Sequence, residues 1–366
     1  MKAYDIEKGV QENRKEFSME TSLLIDGSSL LSTGFYATVP KSWMMAKTDE
    51  ERKAIAQQKL LKHNGRYTNG VMVFMKTLVN LINFYKPTYL AVAWDISRDT
   101  FRRELYPLYK AQRKETPEEL KEQFKTTQML LRKLGVKQVS YANYEADDIV
   151  KTFVEHLKDL SNIIIWSKDR DLLQLVNDAQ GVRMNLCVTK SAFEDSINDV
   201  IIAGGEEGPG GTFIFTQNSW YNYYGINTVQ IPDLKALSGD VSDNIPGVHG
   251  ISEKTAKEIL MKYKDIETLF EDIKELDEEK LDKKEFKKAF SEKKEDWVKA
   301  GIQTKTALTY LLKSNAYHDA MLSKKLATIV EIPGINIKSE EYKLPDFNNW
   351  DDAVMSLNMK SLKGSF

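Results

Sequence analysis

The sequence has few of the residues that disulfide-bonded, zinc-binding and membrane-spanning proteins need. Cys187 is the only cysteine among 366 residues, which excludes an internal disulfide and favours a reducing, intracellular setting. The four histidines are scattered and lack zinc-ligand spacing. No apolar run approaches the roughly 20 residues needed to span a bilayer, and the N-terminal residues are too polar for a secretory signal. We therefore expect an intracellular protein without a membrane segment.

The chain also lacks an excess of charge of either sign, since 52 basic and 54 acidic residues give a net charge of −2. A neutral sum argues weakly against nucleic-acid binding, but it also arises where a carboxylate cluster cancels basic patches elsewhere. With 42% hydrophobic residues, the chain is long enough for a large core. We expect one catalytic domain with a helical extension, or two closely packed domains.

Three apolar runs end in aspartate. The run SLLIDG ends at Asp26, YLAVAWD at Asp95, and NIIIWSKDRD at Asp169 and Asp171. Continuous apolar runs are typical of buried strands in a parallel sheet, and amphipathic helical segments lie between them. The alternation predicts a doubly wound, mostly parallel α/β domain. Because sites form at the carboxyl ends of such strands, we expect these aspartates on one rim, although aspartate is also common where any strand meets a turn.

One helix has particularly clear boundary signals. In Thr116–Gly135, Thr116 is the predicted N-cap, Pro117 lies in the first turn, and Glu119 completes a capping box. Further helices are predicted over Val71–Tyr85 and directly after YEADD.

Other segments interrupt this alternation. Residues 40–66 are predicted to form a polar helical excursion over the site, and residues 203–211 a loop or hairpin insertion. From Asp233 onward the chain becomes charged and helical. The C-terminal segment is expected to pack against the body, with docking of a replication partner as the alternative.

Carboxylates are concentrated in five short groups. These are Asp26; Asp95; Glu145, Asp147 and Asp148; Asp169 and Asp171; and Asp240 and Asp243. Without cations, so many carboxylates would raise each other's pKa. An all-oxygen site favours Mg²⁺ or Mn²⁺ over zinc, and two such ions suit in-line displacement at phosphorus. For YEADD alone, acids that stabilise a helix N-terminus are the commoner explanation.

A basic and aromatic segment follows Asp95. It contains Arg98, Phe101, Arg102, Arg103, Tyr106, Tyr109, Lys110, Arg113 and Lys114. Basic side chains bind phosphates, and aromatic rings stack on unpaired bases. The alternative is a solvated amphipathic helix with Phe101 and Tyr106 facing inward.

Six motifs occur in order: LLIDG, AVAWD, FRRELYPLYKAQR, YEADD, SKDRDLLQL and ALSGDVSDNIPGVHGISEKTAKEIL. Together they resemble the phage and bacterial 5′-nuclease (flap endonuclease) family, closest in kind to the stand-alone phage 5′-3′ exonucleases that remove primers and are called ribonuclease H. The resemblance spans residues 21–262. It implies a PIN-like core with a helical arch and a C-terminal helical subdomain containing a helix–three-turn–helix, which matches Pro246–Ile259.

The resemblance also implies domain limits. We expect an N-terminal extension over residues 1–20 and a nuclease core over 21–232, with the arch at about 40–66 and 98–125. A helical DNA-binding subdomain is expected over 233–335 and a tail over 336–366.

The resemblance assigns roles to individual residues. All nine carboxylates would hold two or more Mg²⁺ ions, for which Mn²⁺ can substitute, with Asp147 and Asp169 also counted as catalytic. Lys110 would reach the scissile phosphate, helped by Arg102 and Arg103, while Tyr109 would stack on a base. The residues expected to bind nucleic acid are Arg98, Arg102, Arg103, Tyr109, Lys110, Arg113, Gly247, Gly250, Ser252 and Lys254. Loop carbonyls of the 247–252 hairpin would hold a K⁺ ion.

The expected activity is that of a structure-specific 5′-nuclease, acting as 5′-3′ exonuclease and 5′-flap endonuclease on flaps or RNA primers during replication and repair. The expected partners are branched duplex DNA with a 5′ single strand or an RNA–DNA hybrid, and a single-strand-binding protein or sliding clamp. We expect a monomer in the cytoplasm, which would be the host cytoplasm for a phage-encoded chain. Two alternatives stay open: a PIN-like single-strand ribonuclease and a catalytically inactive junction-binding protein.

Overall fold

A computed structural model describes residues 20–187, 197–276, 281–302 and 306–366. The predicted N-terminal extension, except Glu20, lies outside these residues. The strands are β1 (Glu20–Asp26), β2 (Lys62–His63), β3 (Arg66–Tyr67), β4 (Tyr89–Ala93), β5 (Lys137–Val139), β6 (Ser161–Ser167), β7 (Val182–Leu186), β8 (Glu206–Gly208) and β9 (Thr212–Phe215). The helices are α1 (Gly27–Thr38), α2 (Lys41–Met45), α3 (Asp49–Lys59), α4 (Asn69–Tyr85), α5 (Phe101–Leu105), α6 (Glu118–Lys133), α7 (Ala146–Leu157), α8 (Ile197–Ile202), α9 (Gln217–Tyr224), α10 (Ile231–Ser238), α11 (Glu253–Lys262), α12 (Ile266–Ile273), α13 (Lys283–Lys299), α14 (Ala307–Leu311), α15 (Ala316–Ala327) and α16 (Trp350–Met355).

The main sheet has seven strands in the order β5-β4-β1-β6-β7-β9-β8. The first five strands run parallel, and β9 and β8 complete the edge in antiparallel pairs. Alternate residues of β1 face different layers, because side chains alternate across a strand. Leu23 and Ile25 join the apolar cluster that contains residues of α1, α4 and α6, whereas Leu24 joins the cluster beneath α7. The doubly wound α/β prediction is therefore confirmed.

Most helix predictions agree with the structure, but the predicted cap of α6 is wrong. Helix α6 begins at Glu118, and Pro117 occupies the N-cap position without a side-chain hydrogen bond. The extended backbone of Pro117, with ψ 146°, leaves Thr116 one residue too early to cap the helix. The C-terminal signal was correct, since Gly135 follows the helix with a φ of +76°.

The two unusual segments acquire regular structure. Residues 40–66 contain α2 and α3, as the polar helical pattern predicted, and Trp43 and Ala56 pack into the cluster beside α1. Their role as an arch stays a prediction. The 203–211 segment forms most of the β8–β9 hairpin, with Gly210 and Gly211 in its turn. This hairpin extends the main sheet, which decides between the loop and hairpin alternatives.

The C-terminal half is helical, and no strand follows β9 in the parts of the chain that the structure describes. Residues of α10 to α15 share their own apolar cluster, with Ile259 and Leu269 fully buried. The C-terminal segment packs on the nuclease core, where Trp350 joins the cluster beside α4 and α6 and Phe366 stacks on Phe347 at 4.5 Å. Among the described helices, none combines the length and apolar character needed to cross a membrane.

Candidate active site

The carboxyl ends of three adjacent strands form one edge of the sheet, and each carries an aspartate. Strands β4, β1 and β6 are neighbours. Asp26 is the last residue of β1, while Asp95 and Asp169 each follow their strand by two residues. Asp171 lies just beyond, in a short 3₁₀ helix. The structure therefore places the strand-end aspartates on one rim, as the sequence predicted.

Hydrogen bonds fix the other acidic elements against this rim. Asp95 accepts a hydrogen bond from the backbone N–H of Ala146 at 2.9 Å, which connects the end of β4 to the start of α7. Glu145 and Asp148 form a reciprocal capping box at this helix end. Asp147 lies between them and faces the electrostatic field of Asp169 and Asp26.

Four of these acids, which we call the unpaired carboxylates, are Asp26, Asp95, Asp147 and Asp169. In the described residues, none of the four forms a salt bridge with a basic side chain. Asp26 instead accepts hydrogen bonds from the Ser29 N–H at 2.9 Å and the Ser167 hydroxyl at 2.8 Å. Asp169 accepts one from the Asp171 N–H at 3.0 Å. Asp26, Asp95 and Asp169 are thus held in place by N–H and hydroxyl donors and not by basic side chains.

The acidic character of the rim raises several pKa values. Burial and the neighbouring Asp95 raise the pKa of Asp26 to about 7. Burial, with Asp169 and Asp26, raises the pKa of Asp147 well above its usual range. Burial and the charge of Asp169 raise the pKa of Asp171 to about 7, despite the nearby Lys235. Each shift reports a site where additional positive charge would be favourable.

The remaining five acids, which we call the paired carboxylates, are Glu145, Asp148, Asp171, Asp240 and Asp243. Each contacts a basic side chain of the same protein. The contacts are Arg102 to Glu145 and Asp148, Lys110 to Glu145 and Asp243, Arg113 to Asp243, and Lys235 to Asp171 and Asp240. The rim is therefore divided into a half whose acids form no salt bridge among the described residues and a half in which each acid contacts a basic side chain.

Lys235 is a site residue that sequence reasoning missed. Its ammonium group bridges Asp171 and Asp240, and the Asp240 contact measures 2.6 Å. Although burial opposes both shifts, this pairing raises the pKa of Lys235 and lowers that of Asp240 to about 2. The one available signal was its position in a short helix directly before Asp240. This signal is weak, because lysine is common in helices.

Arg102 differs from its predicted role as a phosphate-binding residue. It is 2% exposed and donates a pair of hydrogen bonds to Asp148, at 2.7 and 2.8 Å. Two further N–H groups donate to the carbonyls of Leu326 and Thr328. Arg102 is therefore a buried structural cation that joins α5, α7 and the end of α15, and its burial keeps it from a phosphate in this conformation.

Asp148 is corrected for the same reason. It is fully buried, and besides Arg102 it accepts hydrogen bonds from the backbone N–H groups of Glu145 and Val330. Such a carboxylate is already fully coordinated by donors. The structure makes Asp148 the partner of Arg102 and not a metal ligand.

Tyr109 also differs from prediction. Its ring is 3% exposed, packed against Ile245 and Leu326, so it cannot stack on a base in this conformation. Its hydroxyl donates to Glu145 at 3.1 Å, with Asp243 at 3.4 Å. Burial and the nearby acids raise the pKa of Tyr109, which keeps it a neutral donor.

Lys110 and Arg113 fit their predicted positions at the rim. Lys110 donates to Glu145 at 2.9 Å and lies 3.5 Å from Asp243, and 18% of its side chain is exposed. Burial lowers its pKa, but Glu145 and Asp243 outweigh this effect and raise the pKa well above its usual range. Arg113 bonds to Asp243 and is nearly half exposed. Both are cations next to acids and open to solvent.

The other predicted basic residues lie farther out. Arg98 donates to the backbone carbonyls of Arg113 and Lys114, which supports the basic segment from outside. Arg103 pairs with Asp99 at 3.3 Å and is exposed. Their contact with a phosphate stays a prediction.

The two glycines of the helix–three-turn–helix segment have close neighbours within the protein. Gly247 is buried, and a Cβ atom there would lie 2.2 Å from the backbone nitrogen of Gly239. Gly250 is exposed, and a Cβ atom there would lie 2.6 Å from the ring of Tyr310. Both have a left-handed φ, of +63° and +86°, and their contact with DNA stays a prediction.

Ser252 and Lys254 occupy the end of this segment that faces outward. Ser252 is the N-cap of α11, and its side chain accepts from the Thr255 N–H at 3.2 Å. Lys254 is exposed in the first turn. A helix N-terminus with a nearby lysine is suited to bind a phosphate.

A groove connects the acidic rim with the start of α11. It has a volume of about 880 Å³ and is lined by both acidic and basic side chains. Asp169, Asp171 and Lys235 line one part, and Tyr224 and Glu253 line another at the start of α11. Lys168, Arg170 and Arg113 contribute positive charge along it. The path from the acidic rim to α11 is therefore continuous.

Whether divalent ions fit the rim depends on the chemistry of the ligand atoms there. In residues 20–187, 197–276, 281–302 and 306–366, no group of three or more acidic, histidine or cysteine side chains is arranged to hold a metal ion. The donors at the rim are all carboxylate oxygens, and burial and the neighbouring acids raise the pKa values of Asp26 and Asp147. Hard divalent cations prefer such oxygens and keep several water ligands, so an open site suits them. The unpaired carboxylates fit a divalent ion.

Comparison with known proteins identifies both regions. The chain matches the family described as 5′-3′ exonuclease, N-terminal resolvase-like domain, over residues 21–199. Residues 226–302 match the 5′-3′ exonuclease, C-terminal SAM fold. The resolvase-like match contains seven of the nine rim acids, and the SAM-fold match contains α10 to α13 together with Asp240 and Asp243. The resemblance inferred from the six motifs is confirmed.

The alignments with two curated relatives cover most of the length of those proteins. The 5′-3′ exonuclease of Halalkalibacterium halodurans is 38% identical over 258 residues, which are 70% of this chain and 74% of that protein. The 5′-3′ exonuclease of Bacillus subtilis is 32% identical over 251 residues, 69% and 73% of the two chains. The solved structure of the Rad2 catalytic core in complex with DNA substrate aligns with a TM-score of 0.50 at 14% identity, covering 93% of this chain and 89% of that one. At this identity the Rad2 likeness supports the fold alone.

Proposed function

This chain belongs to the 5′-3′ exonuclease family, and we propose that it is a Mg²⁺-dependent 5′-nuclease that cuts near the junction of a duplex and a 5′ single strand. Family membership gives the activity class, that of a structure-specific 5′-nuclease. The metal, the substrate form and the roles of individual residues are the parts we propose. The observation that carries the proposal is the continuous groove from the acidic rim to the N-terminus of α11.

The acidic rim would hold the metal. Asp26, Asp95, Asp147 and Asp169 would hold a first ion, Asp171, Asp240 and Asp243 a second, and Glu145 would be a further ligand, as the resemblance implies. When bound, such ions neutralise the carboxylates, activate water and stabilise the leaving oxygen. Mn²⁺ would substitute for Mg²⁺ because both prefer oxygen ligands.

The protein's own cations would act on the phosphate. Lys110 is held between Glu145 and Asp243, so neutralisation of these acids would free its ammonium group for a phosphate oxygen. Arg113, beside Asp243, would contribute in the same way. Preorganised positive charge of this kind stabilises the additional negative charge of the transition state.

The groove would hold the substrate between the acidic rim, where the phosphodiester would be cut, and the start of α11, where the duplex would be bound. Ser252 and Lys254 would contact the duplex backbone through a phosphate, and Lys168 and Arg170 would line the path. Arg98 and Arg103 would contact the single strand from the outer face. The proposed substrates are branched DNA with a 5′ flap and RNA–DNA hybrids, and the K⁺ ion at residues 247–252 and a replication-protein partner remain part of this proposal.

The test is cleavage of a 5′-labelled flap substrate with Mg²⁺, Mn²⁺ or chelator, run beside single-stranded RNA of the flap sequence. We expect cleavage near the junction with either metal, none with chelator, and little cleavage of the free RNA. Preferred cleavage of the free RNA would favour the single-strand ribonuclease alternative. An intact flap under every metal condition, with duplex binding retained, would contradict nuclease function.

A further inference from the structure

Two turns meet beside the acidic rim and are joined by hydrogen bonds. We call Tyr106–Arg113 the lysine turn and Asp240–Ile245 the acidic turn. The Lys110 N–H donates to the Asp243 carbonyl at 2.8 Å. The Asn244 side-chain amide donates to the Leu108 carbonyl at 2.7 Å. The Gln112 amide donates to the carbonyls of Val241 and Ser242, at 2.7 and 3.2 Å. The lysine turn is therefore attached along its length to the acidic turn.

Backbone conformation at this junction requires external support. Lys110 has a φ of +54° and Asn244 a φ of +57°, both in the left-handed region. Asparagine adopts this region readily, but lysine has no side-chain group that compensates for it locally. A lysine held there depends on its surroundings to fix the conformation. The direction in which Lys110 leaves the backbone therefore depends on the contacts with the acidic turn.

The two turns are held together on two sides, by buried packing on one and by the side chains of Gln112 and Asn244 on the other. Tyr109 and Ile245 share a small buried cluster with Leu326 and Ala327 of α15. This cluster attaches one side of each turn to the protein body. On the other side, the amides of Gln112 and Asn244 reach backbone carbonyls only. Neither amide donates to one of the nine carboxylates.

We propose that Asn244 and Gln112 are positioning residues that hold Lys110 in the orientation needed at the scissile phosphate. The inference rests on the proposed function, because it assigns these residues to the same site. They act through the backbone of the lysine turn, and neither needs to touch the substrate or a metal. The acidic turn thus has two roles, since its carboxylates belong to the proposed metal site, whereas its backbone carbonyls and the Asn244 amide hold the lysine turn.

Two substitutions separate this role from simple folding. Asn244→Gly keeps a residue that tolerates a positive φ but removes the amide donor. Gln112→Ala removes two hydrogen bonds from an exposed side chain. Asn358→Gly is the matched control, because Asn358 also has a left-handed φ of +54° but lies in the C-terminal segment. Thermal melting and the metal concentration for half-maximal activity are measured for every variant.

We expect each variant to lower the single-turnover cleavage rate about tenfold, which corresponds to about 1.4 kcal/mol in the activation barrier. Duplex affinity should stay within about twofold of wild type, as should the half-saturating metal concentration. The control should cleave at the wild-type rate. In a Lys110→Ala background, neither substitution should cause a further loss, because residues that act through one group are not additive.

Three outcomes would overturn the inference while leaving the proposed function intact. They are wild-type rates in both variants, an equal loss in the Lys110→Ala background, and a loss explained by weaker metal binding. Failure of the wild-type protein itself to cut the flap would count against the proposed function, so the two failures are distinguishable.

Discussion

The two halves of the acidic rim differ in whether basic side chains of the protein pair with their carboxylates. The paired carboxylates contact Arg102, Lys110, Arg113 or Lys235, and the pKa of Asp240 falls to about 2, although burial and Asp169 still raise that of Asp171 to about 7. The unpaired carboxylates have no such partner among the described residues, and the pKa of Asp26 rises to about 7. Since burial penalises an isolated charge, the unpaired half is built for a cation that the chain does not supply. The paired half is ordered before any ion arrives.

The largest expected effect comes from the unpaired half. Asp147→Asn removes one negative charge among neighbours that have no internal counter-ion, so a divalent ion should bind there far less tightly. We expect flap cleavage to fall on the order of a thousandfold, comparable to the loss of a transition-state contact at the upper end. Single-turnover rates measure this. Glu340→Gln, an exposed acid far along the chain, is the control, and a loss below about tenfold would count against a metal role for Asp147.

In the paired half, the expected effect is on stability. Arg102→Met leaves Asp148 buried without its cation, so we expect a loss of about 3–5 kcal/mol in the free energy of unfolding. The adjacent Arg103→Met removes an exposed contact to Asp99 and should change it by less than about 0.5 kcal/mol. Denaturant titration of both variants measures the contrast. Equal midpoints would show that Arg102 does not support the fold as described.

A smaller effect concerns pH without metal. The folded-state pKa values of Asp26 and Asp171 are about 7, whereas unfolded aspartate titrates near about 4. The folded protein therefore binds more protons between these values, and its stability should fall as pH rises through this window. We expect the melting temperature in chelator to be lower at pH 8 than at pH 5. Mg²⁺ should raise it more at pH 8, and a metal-free protein that gains stability up to pH 8 would contradict the shifts.

The sequence allowed prediction of the features that depend on local patterns. Apolar runs ending in aspartate predicted the rim, because parallel strands bring Asp26, Asp95 and Asp169 to one edge. The cap at Thr116 failed because the extended Pro117 occupies the cap position. The roles of Arg102 and Lys235 could not be predicted, since their partners depend on long-range contacts, such as the carbonyl of Leu326. A basic motif beside an acidic one does not reveal which cations are already paired.

At the other end of the groove, the glycines also have partners that depend on long-range contacts. Their spacing correctly indicated close backbone approach, but it did not indicate the partner. Gly247 approaches Gly239 and Gly250 approaches Tyr310, both within the protein. The N-cap at Ser252 was a local feature, and the structure has it where the sequence placed a helix start.

The most direct test of the difference between the two halves is calorimetric titration with Mn²⁺ in the absence of substrate, on wild type, Asp147→Asn and Lys235→Met. We expect two classes of site in wild type. Asp147→Asn should lose the tighter one, and Lys235→Met should strengthen the weaker one about tenfold, because the ammonium group no longer competes at Asp171 and Asp240. A tight site that survives in Asp147→Asn, together with an unchanged weak site in Lys235→Met, would contradict the division of the rim.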